Sequence, residues 1–236
     1  MPISRVAYIY WSVIMMVSTV AIACLYDPVH SVGTLALRFD AGRWIAMLTS
    51  PYLLLCVAGA AFGIYRARKV WAENEGAFTD TDKMLTIWFL MNACWFHTGC
   101  DILSGLFQVM PNLTEAYAGS NAAHLQPMHH PDRAYLDMVY WFELFVELPF
   151  SIAVFKLYLA RSPWRPPVEI FLCGLHIVGT VAFYLPNLLM GRVSNPVLSN
   201  VDRVVGAVWI VIPLLVAWRD AKQIVASVGE ARPLPA

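Results

Sequence analysis

Charge is scarce in this chain of 236 residues: Asp, Glu, Lys and Arg make up only 14%, while 59% is hydrophobic. Soluble domains are roughly a quarter charged, so this scarcity excludes an ordinary soluble domain and gives a membrane-protein composition. The few charges cancel to a formal net of +0, which removes the basic footprint that a nucleic-acid partner requires. Cysteine is sparse too. Cys24, Cys56, Cys94, Cys100 and Cys173 form no CxxC pair and all lie in apolar stretches. Those are the places of small core residues rather than of a disulfide scaffold or a zinc site. The chain also lacks G-x-x-x-x-G-K, H-E-x-x-H, G-x-S-x-G and GxGxxG, so P-loop, zincin, serine-hydrolase and dinucleotide chemistry have no motif to rest on. There is no repeat at a fixed period and no low-complexity tract.

Long apolar runs are what the chain does have. Six stretches, at about 6–26, 43–65, 84–108, 135–159, 168–190 and 203–219, approach or exceed the roughly 20 residues that a helix needs to span a bilayer. Polar or proline-bearing stretches separate them: Arg66 to Lys83, Met110 to Arg133, Arg161 to Pro167 and Gly191 to Asp202. The expected fold is an all-α membrane protein, a polytopic bundle of about six transmembrane helices. The first run is near 20 residues, longer than the ~7–15 of a signal-peptide core, and is expected to be a retained span. Tyr8, Tyr10 and Trp11 at its start are interfacial anchors on this reading. With six spans, eleven of the sixteen Lys and Arg residues fall on the side of the termini, which places both termini in the cytoplasm.

Three acids break the apolar pattern. Asp101, Glu143 and Glu147 lie well inside apolar stretches, whereas the other acids fall near span ends or in loops. An ionisable group in the bilayer core costs at least ~2.5 kcal/mol on insertion scales, so each needs a partner, a cavity or a chemical task. At a rise of ~1.5 Å per residue, Asp101 and Trp209 are expected roughly 10 Å below the non-cytoplasmic boundary, Glu143 about 12 Å and His97 about 16 Å. One depth band for spans three, four and six is what a shared pocket requires. His97 and Asp101 are i and i+4, so they share a helix face and are expected to hydrogen-bond. The structural alternative is a satisfied His–Asp pair that joins two helices. Glu143 and Glu147 are also i and i+4; two ionised carboxylates there would repel, so one is expected to be protonated or paired. Glu143 is expected to be functional. For Glu147 the structural alternative, a bond to a backbone carbonyl freed by Pro149, is the favoured reading.

Aromatic residues near this band include Trp95, Phe96, Tyr140, Trp141, Phe183, Tyr184 and Trp209. Most serve packing or the interface belt, but a ring facing the carboxylates could stabilise a carbocation through its quadrupole. His176 in the fifth span is another polar group, with helix-to-helix hydrogen bonding as its expected role. His124, His129 and His130, with only Asp132 nearby, read as a solvated loop rather than a metal site.

Several segments resemble one family in order and spacing. Trp95-Phe96-His97-Thr98-Gly99-Cys100-Asp101 resembles the His-x-x-x-Glu element of emopamil-binding proteins, the sterol Δ8–Δ7 isomerases. Asp132-Arg133-Ala134-Tyr135 is similar to their D-S-R-Y segment, and Ala207-Val208-Trp209-Ile210-Val211-Ile212-Pro213 to their A-L-W-L-V-L-P. Glu143-Leu144-Phe145-Val146-Glu147-Leu148-Pro149-Phe150 resembles the E-L-x-x-x-L-P-F element of the sigma-2 receptor, a relative in the same EXPERA superfamily. His176-Ile177-Val178-Gly179-Thr180-Val181 fits Q-I-x-G-D-V loosely. The resemblance covers about residues 43–225. It departs where Asp101 replaces Glu, Thr180 replaces Asp and Gly206 stands in place of Asn. Glu147 has no acidic counterpart in either relative.

The resemblance implies a five-helix core at 43–225, an extra N-terminal transmembrane helix and loop at 1–42, and a cytoplasmic tail at 226–236. It implies an integral membrane isomerase or cyclase that works by carbocation chemistry on a sterol-like or isoprenoid lipid, without a cofactor or metal. His97, Asp101 and Glu143 are the expected catalytic residues, and Trp209, Tyr140, Glu147 and His176 the expected substrate-binding ones. The alternative is a non-catalytic sterol- or amine-binding membrane protein of the sigma-2-receptor type; a further one is a small transporter or chaperone with the acids as glue. Expected partners are a hydrophobic polycyclic or isoprenoid small molecule and the lipid bilayer, with a homodimer as a candidate and no nucleic acid. The expected membrane is the endoplasmic reticulum.

Overall fold

The computed structural model describes residues 3–31, 34–190 and 195–230. Its regular structure is helical throughout. A first pair, α1 (Ile3–Ile9) and α2 (Trp11–Leu25), bends by 75°, and a second, α3 (Ala41–Leu48) and α4 (Pro51–Glu73), bends by 55°. Then come α5 (Asp80–Met91), which continues as a π-helix over Asn92–Leu106, and α6 (Pro111–Ser120). A rod made of α7 (Ala134–Phe142), a π-segment at Glu143–Glu147 and α8 (Leu148–Leu159) follows. The chain continues with α9 (Arg165–Met190), α10 (Pro196–Gly206) and α11 (Val208–Glu230).

Among the described residues three helices are long and apolar enough to cross a membrane, Pro131–Leu159, Arg165–Met190 and Ser199–Val228, or up to five if each bent pair is one span. The expected stretch at 84–108 does form a continuous rod, but it is not one of these. Its physical reason is position. Leu85 through Ala93 are all buried, and Trp95, Phe96, His97, Cys100, Ser104 and Leu106 are as well. A rod sheathed by protein need not be apolar all round, so it can carry Asn92, His97, Asp101 and Ser104.

One core runs from Ile9 and Cys24 through Trp88 and Phe96 to Leu172 and Val216. The N-terminal region expected as an extra element is part of it. Trp11 stacks on Trp88 with centroids 4.9 Å apart. Arg43 donates to the Ala23 carbonyl at 2.9 Å and pairs with Glu115 at 2.7 Å. Arg5 pairs with Asp80 at 2.5 Å, and that hydrogen bond holds the Asp80 carboxyl below its usual range. All five cysteines are unpaired, and four are buried. Residues 226–230 of the expected tail close α11, while 231–236, with Arg232, and Arg192 from the charge count lie outside the described residues.

Candidate active site

The central rod starts cleanly. Thr79 caps it by accepting from the Asp82 N–H at 3.1 Å, and the Asp82 carboxylate accepts from the Thr79 N–H at 3.1 Å, a reciprocal capping box. From Asn92 the backbone widens to π geometry, and the Thr98 hydroxyl follows it by donating to Ala93 O, five residues back, at 2.6 Å. Gly99 and Gly105 permit close packing: a Cβ at Gly99 would sit 2.8 Å from the Trp95 ring, and one at Gly105 would overlap the Tyr140 ring. Arg133, fully buried, closes the far end by donating to Gly105 O at 2.6 Å and Leu106 O at 2.9 Å, while Asp137 neutralises it at 2.6 Å.

The second π-segment begins at Glu143 and ends at Glu147. Pro149 follows it in the first turn of α8. Proline has no N–H, and its ring crowds the carbonyl four residues earlier, so a widened turn just upstream relieves both problems. The two π-segments therefore carry His97, Asp101, Glu143 and Glu147. Such widened turns recur at functional sites because they redirect side chains that an α-helix would stack.

Those side chains meet in a cavity of about 190 Å³, lined by His97, Asp101, Glu143, Glu147, His176 and Trp209 together with Phe96, Tyr117, Thr180, Tyr184 and Asp202. A single water requires only ~10–15 Å³ on this measure, so there is room for part of an organic ligand. Thr19 and Ile22 of α2 also line it, which makes the N-terminal helix a wall of the site.

The His97 ring divides the polar groups. Its Nδ1 faces Asp101 Oδ2 at 3.7 Å and Glu143 Oε2 at 4.0 Å. Its Nε2 faces His176 Nε2 at 3.3 Å and Glu147 Oε2 at 3.7 Å. Asp101 and Glu143 are close enough to interact directly. The expected His97–Asp101 hydrogen bond is thus a longer contact of 3.7 Å, because in a π-turn the backbone repeat is i to i+5 and the i+4 side chain is displaced. Two groups of ligating atoms arise, His97–Glu147–His176 and His97–Asp101–Glu143, each with its atoms within 4.8 Å of one another.

Trp209 is fixed by its indole N–H, which donates to Asn92 Oδ1 at 2.8 Å, and its ring meets Phe96 edge-on with centroids 4.8 Å apart. Glu147 corrects its favoured structural reading: it turns to the two histidines and the cavity, since Gly179 leaves space where a Cβ would be 2.7 Å from Glu147 Oε1. Tyr140, expected to bind substrate, is not among the cavity-lining residues; it is fully buried against Gly105, with its hydroxyl 3.1 Å from His124 Nδ1. His124 is accordingly no solvated loop residue but a buried one, whereas His129 is exposed.

Asp202 enters the site without having been expected there, together with Tyr184, which had been placed near the band only as one of its aromatics. The Tyr184 hydroxyl lies 3.0 Å from the Asp202 carbonyl and 3.2 Å from Oδ1. A signal existed: Asp202, Gly206 and Trp209 are i, i+4 and i+7, one helical face. The loop expected to end at Asp202 obscures it, whereas Asp202 lies inside α10, which leads into α11 across the single residue Ala207. Gly206 stands beside Tyr184, and a Cβ there would overlap the phenol.

Comparison with curated proteins gives no match. Residues 109–219 match the family model described as EBP: EXPERA (EXPanded EBP superfamily). That match is a little under half of the chain. It contains Glu143, Glu147, His176, Asp202 and Trp209, and stops short of His97 and Asp101. In this stretch, which supplies most of the walls around the carboxylates, the chain is similar to the EXPERA superfamily.

Proposed function

We propose that the chain is an integral-membrane isomerase or cyclase that moves protons on a sterol-like or isoprenoid lipid. The observation that carries this reading is the His97 ring, with two carboxyl groups on its Nδ1 side, buried in a cavity whose other walls are mostly apolar. Asp101, positioned with His97, gives a proton to an alkene carbon and leaves a tertiary carbocation. Glu143 takes a proton from the neighbouring carbon, and the double bond has moved. In a cyclase an internal alkene attacks the cation before that loss. No electrons are exchanged in either case, so the reaction itself requires no redox cofactor. Trp209 shields the cation, an interaction worth ~2 kcal/mol or more where water is excluded. The EXPERA match over 109–219 supports the class of chemistry and a lipid-facing site.

On this reading all six rods span the membrane, both termini are cytoplasmic, and the membrane is the endoplasmic reticulum. A non-catalytic binder of cationic amphiphiles is the second reading, because Asp101, Glu143 and Glu147 gathered in one apolar cavity suit an ammonium as well as a carbocation. Product formation separates the two. Membranes from a host that lacks sterol Δ8–Δ7 isomerase and expresses the chain would be incubated in D2O with Δ8 sterol, and the lipids read by mass spectrometry. New Δ7 sterol carrying deuterium, absent with Glu143→Gln, is the expected result. A well-expressed wild type that shifts no double bond and adds no deuterium to any lipid would sink the enzyme reading.

A further inference from the structure

The Nε2 side of His97 has a chemistry separate from the carboxyl groups on its Nδ1 side. Three groups from three helical segments converge there. His97 Nε2 and His176 Nε2 are 3.3 Å apart, and Glu147 Oε2 lies 3.7 Å from the first and 3.9 Å from the second. The point in their plane equidistant from all three is about 2.1 Å from each, within the ~2.0–2.2 Å at which zinc is held by imidazole nitrogen and carboxylate oxygen. Ligands ~2.1 Å from a tetrahedral centre stand ~3.4 Å apart, whereas octahedral neighbours stand ~3.0 Å apart. The observed edges, about 3.6 Å on average, are nearer the tetrahedral than the octahedral spacing, with the ion close to the plane of the three atoms. We propose that His97, His176 and Glu147 bind one zinc ion, with a fourth coordination position opening into the cavity.

The atoms that converge are His97 Nε2, His176 Nε2 and Glu147 Oε2, while the far atoms of the same side chains, His97 Nδ1, His176 Nδ1 and Glu147 Oε1, are buried without a hydrogen-bond partner among the described residues. Without an ion, one imidazole N–H can serve the other ring's lone pair, and Glu147 is left between two nitrogens with a single proton on that side. A cation uses both Nε2 lone pairs and the Glu147 charge together. Each ring then carries its proton on Nδ1, and that of His97 points toward Asp101 and Glu143. A carboxylate behind a metal-bound histidine is the usual support for its tautomer and orientation. Gly179 completes the site by leaving room for the Glu147 carboxylate. The set His97–Asp101–Glu143 is the weaker candidate, with a single imidazole and two adjacent carboxylates.

An ion here would tie the central rod to α9 and to the second π-segment, and would fix the ring that faces the acids. It does not depend on the proposed reaction, because zinc content is measured with no substrate. The full chain, purified in detergent and exposed to excess zinc, would be gel-filtered and its metal read by plasma mass spectrometry. About one zinc per chain is expected, with Co2+ giving the strong visible absorption of a tetrahedral site. Glu147→Gln and His176→Gln should each weaken binding beyond the ~10–100-fold that losing a mere partner of a ligand costs. The His129→Ala/His130→Ala double variant should load like wild type. Circular dichroism and gel filtration establish that each variant is folded; if His176→Gln is not, Glu147→Gln decides. A folded wild type without zinc, a Glu147→Gln variant that keeps it, or loss through the His129/His130 variant would each overturn the site.

Discussion

Gly179→Ala tests the placement of Glu147 without reference to any reaction. A Cβ at 179 would lie 2.7 Å from Glu147 Oε1, whereas ordinary contact begins at 3.4 Å, so the carboxylate must retreat by about 0.7 Å. Alanine also favours the helix by ~0.5–1 kcal/mol over glycine, while overpacking a buried position costs ~1–3 kcal/mol. The net is a loss of up to about 2 kcal/mol. Gly174→Ala on the same helix is the control, since its Cβ would meet nothing within 4 Å; it should gain the propensity term alone. The deciding measurement is a double-mutant cycle of unfolding in mixed micelles. In a Glu147→Ala background the clash vanishes, so Gly179→Ala should change from destabilising to neutral or stabilising, a coupling of ~1–2 kcal/mol. Strictly additive effects would mean that the carboxylate does not occupy the space beside Gly179, and both the cavity geometry and the zinc site would go with it. Activity, where it can be assayed, should fall more than stability, because a displacement approaching 1 Å costs on the order of a hundredfold.

Two other outcomes can be stated. Gly206→Asn, which installs the residue of the resembling isomerases, should displace Tyr184 from the cavity and lower stability by ~1–3 kcal/mol. Tyr184→Ala should relieve much of that in unfolding measurements, and the absence of any relief would refute the account of Gly206. Arg133→Met removes the buried cation that binds Gly105 O, Leu106 O and Asp137, and leaves Asp137 uncompensated. The expected cost is ~3–5 kcal/mol, read as a lowered unfolding midpoint. Asp137→Asn in the same background should restore part of it, and a loss below ~1 kcal/mol for Arg133→Met would show that the arginine does not close the rod.

The helical class and the approximate places of the apolar stretches came from the sequence alone, although among the described residues three helices, or up to five if each bent pair is one span, are long and apolar enough to cross a membrane. Long apolar runs leave the backbone only helix as a way to satisfy itself in lipid, and a carboxyl group inside such a run is anomalous wherever it points. Asp101 and Glu143 stood out for that reason, His97 and Trp209 by their spacing and the family resemblance, and all four line the cavity. Tertiary structure decided which faces meet. Glu147 turned from a backbone partner into a cavity ligand because Gly179, on another helix, makes room for it. Tyr140 turned away because Gly105 receives its ring and His124 its hydroxyl. Whether the central rod needed to be apolar depended on neighbours that bury it. The local widening to π geometry, which separates Asp101 from hydrogen-bonding range of His97, depends on packing that no periodicity encodes. Backbone satisfaction and burial cost are properties of a segment and can be read along the chain. Convergence of side chains is a property of pairs distant in sequence, and only the packed fold fixes it.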